Sequence, residues 1–147
     1  MAALTITVAN ILPVSISGIT PVRKRATAGA TLTAGQAIYL DATDLDSSGI
    51  GKAKLADANA SEAAAAAVGV TLHGALSGQP VEYMEAGGLA FGAILTKGEI
   101  YVLGATAAGD IAPADDLASG WYTTILGYAA TTANMVLGLR VTGVTTT

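Results

Sequence analysis

A three-part motif recurs along the chain and limits its fold more than any other feature. Gly35-Gln36-Ala37-Ile38-Tyr39-Leu40 is echoed by Gly78-Gln79-Pro80-Val81-Glu82-Tyr83, and again by Gly98-Glu99-Ile100-Tyr101-Val102-Leu103. Each copy runs from glycine through Gln or Glu into β-favouring residues. Glycine supplies a permissive turn, and the β-branched and aromatic residues after it start a strand. A second echo sets Ala66-Ala67-Val68-Gly69-Val70-Thr71 against Thr124-Ile125-Leu126-Gly127-Tyr128-Ala129. Similar middles lie between them: Gly49-Ile50-Gly51-Lys52-Ala53 with Asp57, and Gly109-Asp110-Ile111-Ala112-Pro113 with Asp115. The pattern reads as a degenerate duplication, roughly residues 30–90 and 91–142. Two copies are too few for a solenoid. They predict an all-β domain, a small β-barrel or sandwich built from two degenerate β-repeats.

One short helix is expected within it. Asn59 or Ser61 can cap its start, Glu62 suits the first turn, Ala63 to Ala67 favour helix, and Gly69 ends it at the latest. Asp115-Asp116-Leu117 is the matching turn in the second unit. Residues 1–25 have no repeat counterpart and read as an extended N-terminal arm, with the body over residues 26–147. Between Met1 and Val8, Leu4, Ile6 and Val8 share one face of a period of two, with Thr5 and Thr7 on the other. Asn10-Ile11-Leu12-Pro13 breaks the alternation. Val14 and Ile16 against Ser15 and Ser17 resume it as far as Gly18, and Pro21 then precedes Arg23-Lys24-Arg25.

Composition narrows the function classes. The 147 residues suffice for one compact domain, and the absence of cysteine removes disulfides, thiolate catalysis and Cys-based zinc. Charged residues make up 12% of the chain against hydrophobic residues at 52%, about half the usual charged share. So sparse a set of surface charges predicts that part of the surface is covered by copies of the chain or by a partner. A net charge of −4 lacks the basic field that nonspecific nucleic-acid binding needs. Mean hydropathy is +0.55, yet no run approaches the ~20 apolar residues of a spanning helix. Asn10 and Pro13 also interrupt the N-terminal apolar stretch, which has no basic region of a signal peptide before it. The expectation is a protein made in the cytosol.

No catalytic constellation emerges. His73 is the sole histidine and has no triad or metal partner in view, so it reads as a structural or exposed residue. Asp41, Asp44 and Asp46 with Gly49 mimic the start of a calcium loop, but its twelfth position is Leu55 rather than a bidentate Glu; a solvated turn is the preferred reading. Asp110, Asp115 and Asp116 sit in a Gly/Pro-rich loop and read as solvated acids rather than a glycosidase pair. Gly49-Ile50-Gly51 lacks the third glycine of a phosphate loop. Arg23, Lys24 and Arg25 suit a solvated tether, an acidic protein surface or, less well, nucleic acid. At least one of Trp121 and Tyr122 is expected in the core. No cofactor and no metal are expected.

The body from Ala28 to Arg140 resembles the small head-decoration, or capsid cement, proteins of bacteriophages. The residues that carry the resemblance are Ala28-Gly29-Ala30 leading to Gly35-Gln36-x-Ile38-Tyr39, the Ala-rich run into Val68-Gly69-Val70, Gly78-Gln79-Pro80-Val81, and Leu126-Gly127-Tyr128-Ala129 before an apolar end strand. The resemblance implies a homotrimer on the outer capsid surface of a virion, clamped over junctions between major capsid subunits, with an N-terminal arm adding to the contact. It does not extend to residues 1–25. The expected capsid-binding residues are Leu4, Ile6 and Val8, adding a strand to a sheet edge, and Arg23, Lys24 and Arg25, facing acidic groups. No direct nucleic-acid or membrane contact is expected. The alternative is a tail-fibre, spike or other surface module that binds glycans or a host receptor.

Overall fold

Each copy of the glycine motif launches a strand. The computed structural model describes residues 3–16 and 18–147; Met1, Ala2 and Ser17, which belong to the expected alternating stretches, lie outside them. After Gln36 comes β3 (Ala37–Leu45), after Gln79 β6 (Pro80–Ala90), and after Glu99 β7 (Ile100–Leu103). The others are β1 (Leu12–Val14), β2 (Val22–Thr27), β4 (Gly51–Leu55), β5 (Gly69–Thr71), β8 (Ile111–Pro113), β9 (Tyr122–Ala129) and β10 (Asn134–Thr145). A single short α-helix, α1 (Glu62–Ala65), has Ser61 as its cap, whose Oγ accepts from the Ala64 N–H at 3.0 Å. The helix stops before Ala66 and Ala67, and Ala114–Asp116 forms a 3₁₀ turn in the second unit.

The strands form one curled antiparallel sheet, a half-barrel, in the order β4-β3-β5-β6-β10-β9-β7-β8. Counted from its two ends, the sheet takes second, first, third and fourth strand from each unit, and the units meet where β6 pairs with β10. The duplication is therefore visible as topology. Its two central glycines do the same job: a Cβ at Gly69 would collide with the Met84 carbonyl, and one at Gly127 with the Val136 carbonyl. Backbone bonds across the open end hold the curl. Ala37 N–H donates to Gly109 O (3.0 Å), Gly109 N–H to Ala56 O (2.7 Å) and Ala58 N–H to Gly104 O (3.2 Å).

The main core fills the concave side with Met84, Leu89, Phe91, Tyr101, Leu103, Ile111, Leu126 and Met135, packed among small residues such as Ala37, Ala56, Ala58 and Ala65. Burying each large side chain is worth about 1.5–3 kcal/mol. A second, smaller cluster lies on the opposite face of the first unit: Ile38, Ala53, Val81 and Tyr83 with Ala28, Leu32 and Ala75. Consecutive residues Ala37 and Ile38 face the two cores, as a strand's period of two requires. Met84 and Leu89, five positions apart, nevertheless both reach the main core. The register shift opposite Val22 and Arg23, which pair with Ala86 and Met84, supplies the extra residue.

Candidate functional site

The N-terminal segment is built into the body. β1 pairs with the end of β6 (Leu12 opposite Ala90, Val14 opposite Gly88), and β2 continues along the same strand from Val22 opposite Ala86 to Thr27 opposite Pro80. Val14 and Val22 face positions only two apart on β6, and between them Ile16 and Ile19 form an antiparallel bridge. Glycines make this apposition possible: a Cβ at Gly88 would strike the Val14 carbonyl, and one at Gly87 would lie 2.7 Å from Thr20 O and Pro21 Cα.

Leu4 and Ile6 lie partly buried against the main core, and Leu4 N–H donates to Ile111 O at 2.8 Å. Residues 3–7 form no strand, and Val8 is 53% exposed in a short 3₁₀ turn (Val8–Asn10). The three residues expected to share one binding face are thus divided: two turn inward and one outward. Ile11, which the alternation left out, is the deepest anchor at 4% exposure, and it packs with Ile6 over Gly35.

Arg23, Lys24 and Arg25 lie on β2 rather than on a solvated tether, and the division at residue 25 falls inside that strand. β2 has β6 on one side and, among the described residues, no strand along Val22–Arg25 on the other. All four residues are exposed. Lys24 Nζ stands 3.5 Å from Glu85 Oε2, and Arg25 Nη2 stands 3.4 Å from Glu82 Oε1; Arg23 makes no ion pair among the described residues. These pairs are solvent-exposed and long, so they hold the cations only weakly.

The calcium-like loop is occupied by lysines. Lys54 Nζ meets Asp41 Oδ2 at 2.7 Å and Asp44 Oδ2 at 3.1 Å, and Lys52 Nζ meets Asp44 Oδ1 at 3.3 Å across the β3–β4 hairpin. The Lys54 ammonium, with help from Thr43, holds the Asp41 carboxyl well below the usual carboxylate range. Lys54 and then Lys52 lower Asp44, and the Ile50 and Ser48 N–H groups lower Asp46. Those two donors reach Asp46 Oδ1 at 3.0 and 2.8 Å and close the turn. Asp110 spends Oδ2 on the Ala107 N–H (2.8 Å), which is also a turn. His73 is exposed and uses both ring nitrogens on backbone groups. Trp121 and Tyr122 are each half-buried against the main core.

One surface went unnoticed in the sequence. Ile100, Ile125, Gly127, Tyr128, Val136 and Gly138 line a shallow outward hollow on β7, β9 and β10, and none of them is charged. Ile100 faces Tyr128 across the ladder, and Tyr128 faces Val136, so they form one cross-strand row. Ile100 and Tyr128 are 46% and 48% exposed. In the first unit the matching positions, Ala37 and Val70, are fully buried. The two sequence echoes pair Ala37 with Ile100 and Val70 with Tyr128, but they do not show which face each unit buries. No protein-family model matches the chain, and no curated protein matches it.

Proposed function

We propose that this protein is a virion structural module that binds the outside of a phage capsid as a homotrimer and cements neighbouring major capsid subunits. The observation that carries the reading is β2: an exposed sheet edge bearing three consecutive cations on a chain of net charge −4. Such an edge offers unpaired backbone groups to an extended partner segment, while Arg23, Lys24 and Arg25 steer acidic groups towards it. A binding module rather than an enzyme fits the other polar groups, because the Asp41–Asp44 carboxylates are matched by lysines and His73 is engaged by backbone. The outward row at Tyr128 supplies an uncharged face for contact between copies. On this reading the protein is made in the host cytoplasm and ends on the capsid exterior, without nucleic acid, membrane or cofactor.

The test mixes purified protein with undecorated phage particles and counts bound copies by cryo-EM. Arg23→Glu with Arg25→Glu reverses two charges at exposed positions, so the fold is retained. The expected result is saturable binding by the wild type and at least a tenfold weaker occupancy by the variant. Equal occupancy would move the docking surface away from β2, and no binding by wild type to any tailed-phage particle would overturn the reading.

A further inference from the structure

The sole histidine sits where a strand ladder ends. Leu72 N–H donates to Glu82 O at 3.0 Å, the last backbone bond of the β5–β6 ladder. The next donor, the Glu82 N–H, goes to His73 Nε2 at 3.1 Å, so an imidazole nitrogen takes the place of a strand carbonyl. A backbone N–H can only donate, so Nε2 must carry a free lone pair. The ring proton is then on Nδ1, where it donates to Gly74 O at 2.8 Å. This arrangement requires the neutral ring.

A second proton would take the lone pair that holds the Glu82 N–H. The charged groups facing the ring are the Arg25 guanidinium on β2 and the Glu82 carboxylate on β6, which line one hollow with it beside Pro80 and Val81. On its other side Val8, Ala9, Thr33, Ala34 and Leu72 bring no charge. Arg25 repels an imidazolium, and Glu82 attracts one. Glu82 is held by Arg25 only through an exposed 3.4 Å contact.

We propose that His73 is a proton-operated latch. When neutral it closes the β5–β6 ladder and leaves Glu82 to Arg25. When protonated it releases the Glu82 N–H, draws the Glu82 carboxylate to itself and frees Arg25 on the exposed β2 edge. Acidification thus loosens the loop over residues 72–79 and adds an unpaired cation to β2. The inference stands on this geometry and is independent of the capsid reading.

NMR on the ¹⁵N-labelled full chain tests it between about pH 8 and about pH 5, the range in which histidine changes charge. The neutral ring should carry its proton on Nδ1. The Glu82 amide and the Arg25 side-chain signals should shift with the same midpoint as the His73 ring. Exchange of the Glu82 amide, corrected for its intrinsic pH dependence, should rise roughly 2- to 10-fold, the loss of one ordinary hydrogen bond. His73→Gln places a carbonyl acceptor near the same N–H without a titrating group, and in it the Glu82 and Arg25 signals should stay fixed. A neutral ring protonated on Nε2, an Arg25 signal indifferent to His73, or a wild-type response surviving in His73→Gln would each overturn the latch.

Discussion

Thr124 shows how much of this fold depends on one hydroxyl in the interior. It is fully buried on β9, and its Oγ1 donates to Ala65 O at 2.5 Å, which ties the end of α1 to the second unit. Thr124→Val keeps the shape and leaves the Ala65 carbonyl without that donor. Its expected cost is about 1–3 kcal/mol, with Thr124→Ser losing less; urea unfolding of the three proteins decides it. Nothing in the sequence distinguished Thr124 from the chain's many other threonines, because its importance comes from a partner 59 positions away. His73 was legible as a structural or exposed residue and the calcium-like loop as a turn. Their partners were not, since the Asp41–Lys54 pairing depends on hairpin register and the His73 bonds on where β5 stops.

At the scale of elements, the strands after each Gly-Gln or Gly-Glu pair were readable because local turn chemistry fixes where they begin. The helix start was readable as Asn59 or Ser61 for the same reason, and the structure uses Ser61. The N-terminal segment was not, because a period of two over Leu4–Val8 says that a face exists without saying what covers it. The structure covers it with the chain's own body, which leads to a direct comparison. Ile11→Ala should destabilise by about 2–5 kcal/mol, as a core truncation does. Val8→Ala, at an exposed position, should stay within about 0.5 kcal/mol of wild type. Chemical denaturation measures both, and equal small effects would mean that the segment is a loose tail. The β3–β4 hairpin yields a prediction in pH. Asp41, Asp44 and Asp46 have lowered folded-state values, so their stabilisation is complete above the ordinary aspartate range near pH 4 and is lost as pH falls below it. Lys54 is raised by the same pairing, so its share is complete below its ordinary range near pH 10.4 and is lost only at higher pH. Denaturation midpoints should therefore fall on acidification below about pH 4, and Lys54→Met should flatten that fall. A variant with an unchanged acid limb would place the acid sensitivity elsewhere.

For the molecule as a whole, the duplicated topology produces two units with unequal surroundings. The first unit is covered on both faces, by the main core and by the smaller cluster around Ile38 and Tyr83. The second buries Tyr101, Leu103 and Leu126 on its inner face and leaves Ile100 and Tyr128 outside. The register shift in β6 reverses which positions face the main core between the units, and in the first unit Ala28, Leu32 and Ala75 cover the other face. An uncharged face of this kind costs solubility when it is left bare, and the chain's low charge offers little compensation. If copies cover it for one another, a charge placed at its centre should separate them without unfolding them, since each position is already half in water. Tyr128→Lys and Ile100→Glu are the variants that test this. Sedimentation equilibrium should show the wild type as a trimer and both variants as monomers, with unchanged far-ultraviolet circular dichroism. A trimer that survives both substitutions would assign its contacts to another surface, and a wild type that stays monomeric at high concentration would overturn the trimer.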